Sequence, residues 1–500
     1  MTYKEEIQRL LSEPQRLKTK RPFTRGYDLN VSPFVESRLN NNSYTEASLP
    51  HYAEYPIAQE QYMRELDPNS HDVLYDDNIP SIVVKVNNNE YKEIKFEKTA
   101  VPLQKNIKNK KLLHMTGNKM QFELANTDPS EKQMSNYIVF KQYWDLRNQD
   151  GMKNKMVDTQ LSLGDAGLLY YFDYKGRVKS RILSYKDGYV LCPHNDQNGD
   201  RILESVYYTK DNIEYIDSYD DTYMYRYRCD NNTESMDNGW VLEEPVKHGF
   251  NEIPLITKRG KVAWDDVQNM ITNYEILFNI FNVVQRRQGG GLLYVKGKFK
   301  DDAKKIAGSF ILNDTSIDGK GDAKFLTPPS PNGMIETLSN LLDAIQIGSS
   351  TTFLLPKDVK TGGDLSGITI QLVQSLDIED ALQRVIDWQN VADKMARLFK
   401  YGLSVELVNN GINQTAITDF EELNINAKFK VWKPMNEYEY NQMLTILAGA
   451  GLISKETGIQ KNTESAPDEL ARKRREDELA SRRVYNETKL LGNETINVQE

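Results

Sequence analysis

The order of elements between Val262 and Leu403 constrains the fold of this chain more than any single motif does. In a first arm, from Val262 to about Arg287, apolar residues recur three and four positions apart, which predicts a helix with one apolar face. A second arm, from about Asn332 to Ile347, follows a cluster of prolines and has the same spacing. The chain is therefore predicted to contain two helical arms separated by an insert.

The insert is predicted to be a small α/β unit. Leu292–Val295 is an apolar extended run, Asp301–Ala307 is a charged helix candidate, and Lys324–Leu326 is a second extended piece. After the second arm, Ser349–Gly367 is too rich in glycine to fix its own conformation, so we expect a loop.

A long helix is predicted to follow this loop. From Ile368 to Leu403, apolar residues lie about 3.5 positions apart, and their phase slips around Ser375–Asp377, which predicts a kink. A helix of ~35 residues reaches about 50 Å. Apolar faces of this length exceed what one insert can cover, and a closed ring of identical subunits would bury them.

The chain before the arms has mixed character. Strand signals begin at Ser81–Val86, and Asn87–Asn89 is predicted to be a turn. Residues 130–160 are predicted to be helical, and Leu161–Cys192 is predicted to form strands, with a hairpin turn at Asp173–Gly176.

Segments on both sides of the arms extend the pattern. His248–Ile256 is an apolar, proline-containing segment; Lys433–Pro434 is followed by the helical pattern Asn436–Leu447, then by Gly451–Thr457 and Pro467–Leu470. This ordered series resembles the portal proteins of tailed, long-tailed double-stranded DNA bacteriophages over residues of about 250–480, and more weakly over about 110–250. Many relatives have Asn-Pro-Ser-Gly at the tunnel loop, where this chain has Gly363–Gly367.

The resemblance implies an α+β, portal-type protomer. Its parts would be a β-hairpin-rich α+β wing at 76–260, a first stem helix at 261–288, an α/β clip at 289–330, a second stem helix at 331–348, a tunnel loop at 349–367, a long kinked wing helix with a returning strand at 368–434, and a helical crown at 435–482. The polar residues 1–75 are predicted, from composition, to be an N-terminal arm that orders on a neighbour or stays mobile, and residues 483–500 are predicted to be a flexible tail.

The resemblance also implies a function without chemistry. Twelve copies would form a ring at one capsid vertex of the virion, and double-stranded DNA would be packaged and ejected through it. The large subunit of terminase and then a head–tail adaptor would dock on the clip, while the major capsid and scaffolding proteins would be further partners. Assembly would take place in the bacterial host cytoplasm, without cofactor or membrane.

Three sets of charged residues are candidates for contact with DNA or partners. In the tunnel loop they are Lys357, Lys360 and Asp364. In the clip they are Lys296, Lys298, Lys300, Lys304 and Lys305. In the crown they are Arg472, Lys473, Arg474 and Arg475. The alternative for each set is ordinary solvent-exposed charge, and in the crown the acidic residues that follow favour it.

Composition limits the partners. The formal net charge is −9, whereas a protein that grips phosphates normally carries a basic patch, so DNA passing this chain would slide without sticking. The local basic cluster Lys105–Lys111 is interpreted as a solvated loop, or as a contact with DNA or an acidic partner. The 2 cysteines fit a reducing cytoplasm, and we expect neither a secretory signal nor a membrane span.

Enzymatic interpretations have weaker support. Asp217, Asp220, Asp221 and Asp230 could form a two-metal nuclease site, although aspartates in such a segment are also typical of a turn. Cys192 and His194 supply only half a metal site. Lys360–Gly363 lacks the glycine that precedes a phosphate-binding loop. We expect no catalytic, metal or cofactor site; the alternatives are a metal-dependent nucleic-acid-processing enzyme and a non-viral scaffold with coiled-coil arms.

Overall fold

The computed structural model describes residues 59–76, 79, 82–87, 90–94, 97–125, 128–195, 200–211, 213–230, 240–288, 292–296, 310–314, 322–326, 332–353, 371–434, 437–454, 458–459, 461 and 473–481. These residues form both helices and sheets, as expected of an α+β chain. They fall into two compact units. Of these residues, those within 59–353 and 376–432 form the main unit, and those within 371–375 and 433–481 form the smaller unit.

The helices are distributed along the whole described part of the chain. In chain order they are α1 (Gln59–Leu66), α2 (Leu103–Thr116), α3 (Glu131–Leu146), α4 (Gln149–Leu163), α5 (Gln268–Gln288), α6 (Asn332–Ser349), α7 (Ser375–Asp387), α8 (Gln389–Asn409), α9 (Ala416–Glu421) and α10 (Glu437–Gly449).

The strands form several separate sheets. They are β1 (Ile82–Asn87), β2 (Glu90–Ile94), β3 (Gln121–Leu124), β4 (Asp165–Phe172), β5 (Val178–Leu183), β6 (Val190–Asn195), β7 (Arg201–Lys210), β8 (Ile213–Tyr219), β9 (Tyr223–Asp230), β10 (Trp240–Leu242), β11 (Val246–Lys247), β12 (Leu255–Arg259), β13 (Leu292–Lys296), β14 (Phe310–Asp314), β15 (Asp322–Leu326) and β16 (Ile425–Lys428). The largest sheet has the order β10-β9-β8-β7-β6, with β11 also paired to β9, and a second sheet has the order β12-β4-β5.

Helix α8 passes through the centre of the main core. Its Met395 and Phe399 are completely buried. Phe399 meets Phe140 and Trp144 of α3 edge to face, with ring centroids 5.7 and 5.3 Å apart. Truncating a buried aromatic side chain of this kind costs about 3–5 kcal/mol. The packing of α3 on α8 therefore makes a large contribution to the stability of the unit.

An adjoining face of α8 packs against the β12-β4-β5 sheet, at Gly402. A Cβ atom built on Gly402 would lie 2.6 Å from Cγ2 of Val178 and 3.1 Å from Cε1 of Phe250. Only a residue without a side chain lets the helix backbone come this close to the sheet. Gly402 therefore sets the distance between the two layers.

The predicted helix over residues 130–160 is two helices. The chain turns at Asn148, which has φ +50°, a left-handed conformation that asparagine tolerates better than most residues. Ser130 begins α3 with a capping box to Gln133. Leu161 was expected to begin a strand, but α4 continues to Leu163 and β4 starts after Gly164.

Two hairpin predictions have a structural counterpart. Strands β4 and β5 pair in antiparallel fashion around the turn at Asp173–Gly176, as predicted, and Gly176 has φ +69°. Strands β1 and β2 also pair in antiparallel fashion, and the residues between them lie outside the described part of the chain.

We expect Gly402→Ala to destabilise the main unit by about 1–3 kcal/mol, because the added methyl group overpacks the contact with Val178 and Phe250. This loss should exceed the gain of about 1 kcal/mol in helix propensity. Thermal unfolding followed by circular dichroism would measure it.

The matched control is Gly333→Ala in α6, where a built Cβ meets nothing within 4 Å. It should leave the melting temperature unchanged or slightly raised. If Gly402→Ala behaves like this control, the close approach does not limit the packing of α8.

Candidate functional site

The two helical arms correspond to α5 and α6, which pack against each other. Helix α5 begins at Gln268 rather than at Val262, because Val262 and Trp264 are buried in the turn that precedes it. At the base of the pair, Ile271 of α5 and Ile345 of α6 are completely buried in the main core. The helix pair therefore continues directly from the folded body of the main unit.

A row of polar side chains also ties α5 to the segment before α2. The side-chain amide of Asn279 donates to Thr99 O at 2.8 Å, and its Oδ1 accepts from Thr99 N at 2.7 Å. One turn earlier, Glu275 Oε1 accepts from Val101 N at 2.7 Å. These buried side chains pair with the backbone as a neighbouring strand would, so they fix the position of α5 along this segment.

Residues 59–75 belong to the folded main unit, although they were predicted to be part of a polar arm that is mobile or orders on a neighbour. Trp264 Nε1 donates to Glu65 Oε2 at 2.7 Å, and Gln59 Nε2 donates to Asp165 Oδ1 at 2.8 Å. These contacts are buried polar ones, so the apolar periodicity used to find helices gives no sign of them.

The same N-terminal segment reaches α5 through a buried charge pair. His71 Nδ1 lies 2.7 Å from Glu275 Oε1, and both side chains are nearly inaccessible to solvent. Burial by itself lowers the pKa of His71, but the hydrogen bond and negative charge of Glu275 outweigh it, so the pKa of His71 is raised above its ordinary value. The pair is thus a pH-dependent link between residues 67–76 and α5.

The insert between α5 and α6 contains a three-stranded sheet with β13 in the centre. Strand β13 is parallel to β14 and antiparallel to β15. The prediction of two extended pieces missed β14, and the predicted helix Asp301–Ala307 lies outside the described residues. Lys296 ends β13 at the register position beside Asp314 and Asp322. The other clip candidates, Lys298, Lys300, Lys304 and Lys305, also lie outside the described residues.

The chain leaving α6 is held at its first residues. Ser350 has φ +49°, which turns the chain out of the helix. Thr352 N donates to both carboxylate oxygens of Asp377, at 3.3 and 3.2 Å, and Phe353 N donates to Gln346 Oε1 at 2.7 Å. This loop anchor, made of Gln346 and Asp377, fixes where the following segment begins. The tunnel-loop candidates Lys357, Lys360 and Asp364 are outside the described residues.

The predicted long helix is interrupted at two points. Residues 371–373 are helical, α7 begins at Ser375 after a turn at Gln374, and α8 begins after a second turn at Trp388 and continues to Asn409. The first interruption lies next to the predicted kink. The second was not predicted; there Trp388 is buried and its ring packs on Phe429 with centroids 5.9 Å apart.

The basic cluster Lys105–Lys111 lies on helix α2, so its interpretation as a loop was wrong. Lys108 pairs with Asp158 at 2.6 Å and Lys111 pairs with Asp380 at 2.8 Å. These cations are neutralised within the chain and join α2 to α4 and α7.

The candidate nuclease carboxylates are also occupied by internal partners. Arg226 binds Asp217 with two hydrogen bonds, at 2.7 and 2.9 Å. Asp220 accepts from Thr222 N and Tyr223 N at the turn between β8 and β9. Within the described residues no group of three or more histidines, cysteines or acidic residues is arranged to hold a metal ion. Asp217 lies within strand β8 and Asp220 in the turn after it, so both stabilise a hairpin, but the turn expected at Asp217–Asp221 begins only after Tyr219.

In the smaller unit, Gln371 Nε2 donates to Pro434 O at 2.8 Å. Residues 473–481 are helical and exposed, and Lys473 pairs with Glu476 at 2.9 Å. Arg474 and Arg475 lie on this exposed helix, whereas Arg472 is outside the described residues. The helix has the mixed, solvent-facing charge that the alternative interpretation expected. In the part of the chain that the structure describes, no helix has the length and apolarity needed to cross a bilayer.

A comparison with protein families gives one match. Residues 47–482 match the family model described as phage portal protein, SPP1 Gp6-like. The match covers most of the chain, including the α5–insert–α6 arrangement and α8. No curated protein matches the sequence.

We expect Gln346→Ala to release the loop anchor without unfolding α6, because it removes the acceptor for Phe353 N. Loss of one neutral hydrogen bond of about 1 kcal/mol should speed hydrogen exchange of the Phe353 amide about fivefold. Hydrogen–deuterium exchange would measure the change. Gln442→Ala, the same substitution at an exposed position of α10, should leave that exchange rate unchanged; an equal effect in both variants would contradict the anchor.

We expect the stability that His71 contributes to decrease as pH rises. Because the pKa of His71 is higher in the folded chain, the charged pair stabilises it fully below the ordinary histidine pKa of about 6.5, and the contribution is lost as pH rises through the raised value. The difference in unfolding free energy between the native chain and His71→Gln should therefore shrink between pH 6 and pH 9.

His248→Gln is a control of opposite sign. Burial lowers the pKa of His248, so its contribution should be present above about pH 6.5 and lost as pH falls. Denaturant titrations of both variants across this range would measure the two slopes. If the difference in unfolding free energy between the native chain and His71→Gln does not vary with pH, protonation of His71 is not coupled to folding.

Proposed function

Because the chain belongs to the SPP1 Gp6-like family of phage portal proteins, we propose that twelve copies form a closed ring around a DNA channel at one capsid vertex. The observation that carries this proposal is the family match across residues 47–482, which spans both arms, the insert and helices α7 and α8. Portal proteins are structural proteins of DNA packaging, and the ring is the form in which such a chain acts.

Exposed apolar side chains on α7 support a ring. Leu382 and Ile386 lie one turn apart and keep 46% and 74% of their accessible surface. A heterologous interface between neighbouring subunits closes into a ring and buries the same face on every copy. Residues Leu382 and Ile386 form what we call the α7 face, and we place the next subunit on it.

The charges of the chain support a channel through which DNA slides rather than a surface that binds DNA tightly. The chain carries a formal net charge of −9, and the two paired lysines of α2 have internal carboxylate partners. Since phosphate binding depends on unpaired cations, the channel wall would repel DNA at short range and let it slide. Lys357, Lys360 and Asp364 would be the loop residues nearest to the DNA, on a segment that starts at the loop anchor.

The sheet β14-β13-β15 would be the clip, on which terminase docks during filling and the head–tail adaptor docks afterwards. Lys296 lies at the end of the central strand, and the lysines that follow it would meet an acidic face of each partner. Charges at the rim of such an interface mainly raise the association rate. Helix α10 and residues 473–481 would form the crown inside the capsid, and ejection would use the same channel.

The alternative of a metal-dependent nuclease has no supporting observation among the described residues. The side chain of Asp217 is held by Arg226 and that of Asp220 by backbone amides. We therefore propose that the chain performs no chemistry and that a separate ATPase supplies the energy for packaging.

We expect the purified ring to have a mass of about 690 kDa, for twelve chains of 57.6 kDa. The double variant Leu382→Lys and Ile386→Lys should abolish the ring and leave a folded smaller species, because two buried charges oppose the interface. Native mass spectrometry and averaged electron-microscope views along the ring axis would measure both results.

The matched control is Leu146→Lys, at an exposed leucine that ends α3 and lies outside the α7 face. It should assemble normally. If the α7 double variant assembles as well as the control, the subunit contact lies elsewhere, and if the native chain is a compact dimer, the ring itself is wrong.

A further inference from the structure

One face of the largest sheet carries a row of side chains that the portal function does not use. Tyr208 and Tyr215 are paired on β7 and β8, Tyr189 lies beside Tyr208 just before β6, and Arg228 occupies the next register position on β9. Arg181 of β5 lies over the ring of Tyr189. We call these five residues the tyrosine row.

Neighbouring side chains of the row contact one another, with the Tyr189 ring tilted by 56° from that of Tyr208. The Tyr208 and Tyr215 rings are stacked with centroids 5.3 Å apart and an angle of 16° between their planes, and Tyr189 follows 5.5 Å from Tyr208. Arg181 lies 5.7 Å from the Tyr189 ring centroid. Beside the row, the pair formed by Arg226 and Asp217 supports Tyr208, whose hydroxyl donates to Asp217 at 3.2 Å. A surface already held in this way loses little conformational entropy when it binds.

Both ends of the row carry an exposed guanidinium group. Neither Arg181 nor Arg228 contacts a carboxylate group among the residues that the structure describes, whereas Arg226 is held by Asp217. The exposed Glu243 follows β10 opposite Arg226, two positions along β9 from Arg228, and Asp217 is held by Arg226. In a chain of net charge −9, two arginines on an aromatic surface that form no ion pair with the described residues are a local exception.

This arrangement suits an acidic partner of defined length. Arg181 lies 5.7 Å from the Tyr189 ring, the successive ring centroids are 5.5 and 5.3 Å apart, and Arg228 lies one strand spacing of about 4.8 Å beyond Tyr215, so the row spans about 20 Å. An extended peptide advances about 3.3 Å per residue, and residues six apart lie on the same side of it. Two carboxylates six positions apart along the peptide would therefore reach both guanidinium groups. Each guanidinium group can bind a carboxylate with two hydrogen bonds.

We propose that the tyrosine row is a docking surface for an extended acidic segment of another protein, with carboxylates six residues apart bound by Arg181 and Arg228. Tyrosine and arginine are the residues enriched where binding energy concentrates in protein interfaces. Single-stranded nucleic acid fits less well, because the rings stack on one another and leave no gap for a base. The inference does not rest on the ring or on the clip.

The test uses a fluorescein-labelled peptide of seven residues, with glutamate at positions one and seven and alternating threonine and valine between them. Fluorescence anisotropy with the full chain should show binding that Arg181→Gln or Arg228→Gln each weakens about tenfold. A peptide with glutamine at both ends should not bind. Lys247→Gln, which removes a cation 5.8 Å from the Tyr223 ring on the same sheet but outside the row, should leave the affinity unchanged.

Several outcomes would overturn the proposal. One is no binding of the glutamate peptide at millimolar concentration, and another is equal weakening by Lys247→Gln. A third is stronger binding of a single-stranded oligonucleotide that the two arginine variants abolish, which would make the row a nucleic-acid surface. A fourth is a change in the native mass of the two arginine variants, which would assign the row to contact between copies of this chain. Circular dichroism of each variant separates all of these from misfolding.

Discussion

The close contact of helix α8 with both of its neighbours is the constraint on which the main unit depends. Phe399 fills the space beneath α3, and Gly402, less than one turn later, lets the sheet of β4 and β5 approach the adjoining face of the helix. Because interiors are packed to near crystal density, a helix fixed on two sides cannot rotate or slide without disturbing both layers. The segments that enter and leave α8 therefore have fixed starting points.

Helix α5 is held in a different way. Asn279 bonds to the amide and carbonyl of a single residue, Thr99, and Glu275 accepts from Val101 while it pairs with His71. Apolar contacts tolerate sliding by a turn, whereas paired hydrogen bonds to a particular backbone group do not, since a displaced side chain would leave buried polar atoms unsatisfied. The buried polar row thus gives α5 an axial position that apolar packing alone would not specify.

The sequence was informative where periodicity decides the structure. The arms, the hairpin at Asp173–Gly176 and the order of elements follow from spacing and turn chemistry, and the family match agrees with the resemblance drawn from that order. Breaks such as Asn148 and Trp388 were missed, because they depend on which tertiary contact a residue makes rather than on its helix propensity. The segment 59–75 was missed for the same reason: it is anchored by buried polar contacts of Gln59 and Glu65, and the sequence alone cannot pair these residues with Asp165 and Trp264.

The partners of charged residues also cannot be predicted from the sequence alone. A run of lysines such as Lys105–Lys111 has the same sequence whether it faces solvent, DNA or its own chain; only the fold reveals that Lys108 and Lys111 are neutralised by Asp158 and Asp380. Conversely, Arg181 and Arg228 lie far apart in sequence and form no cluster there, yet the fold places them at the two ends of one aromatic row. Since an exposed ion pair contributes at most about 1 kcal/mol to stability, arginines that form no ion pair with the described residues cost the fold little. The cations available for recognition are therefore those that form no ion pair with a carboxylate in the folded chain. A search of the sequence for clusters of basic residues does not find them.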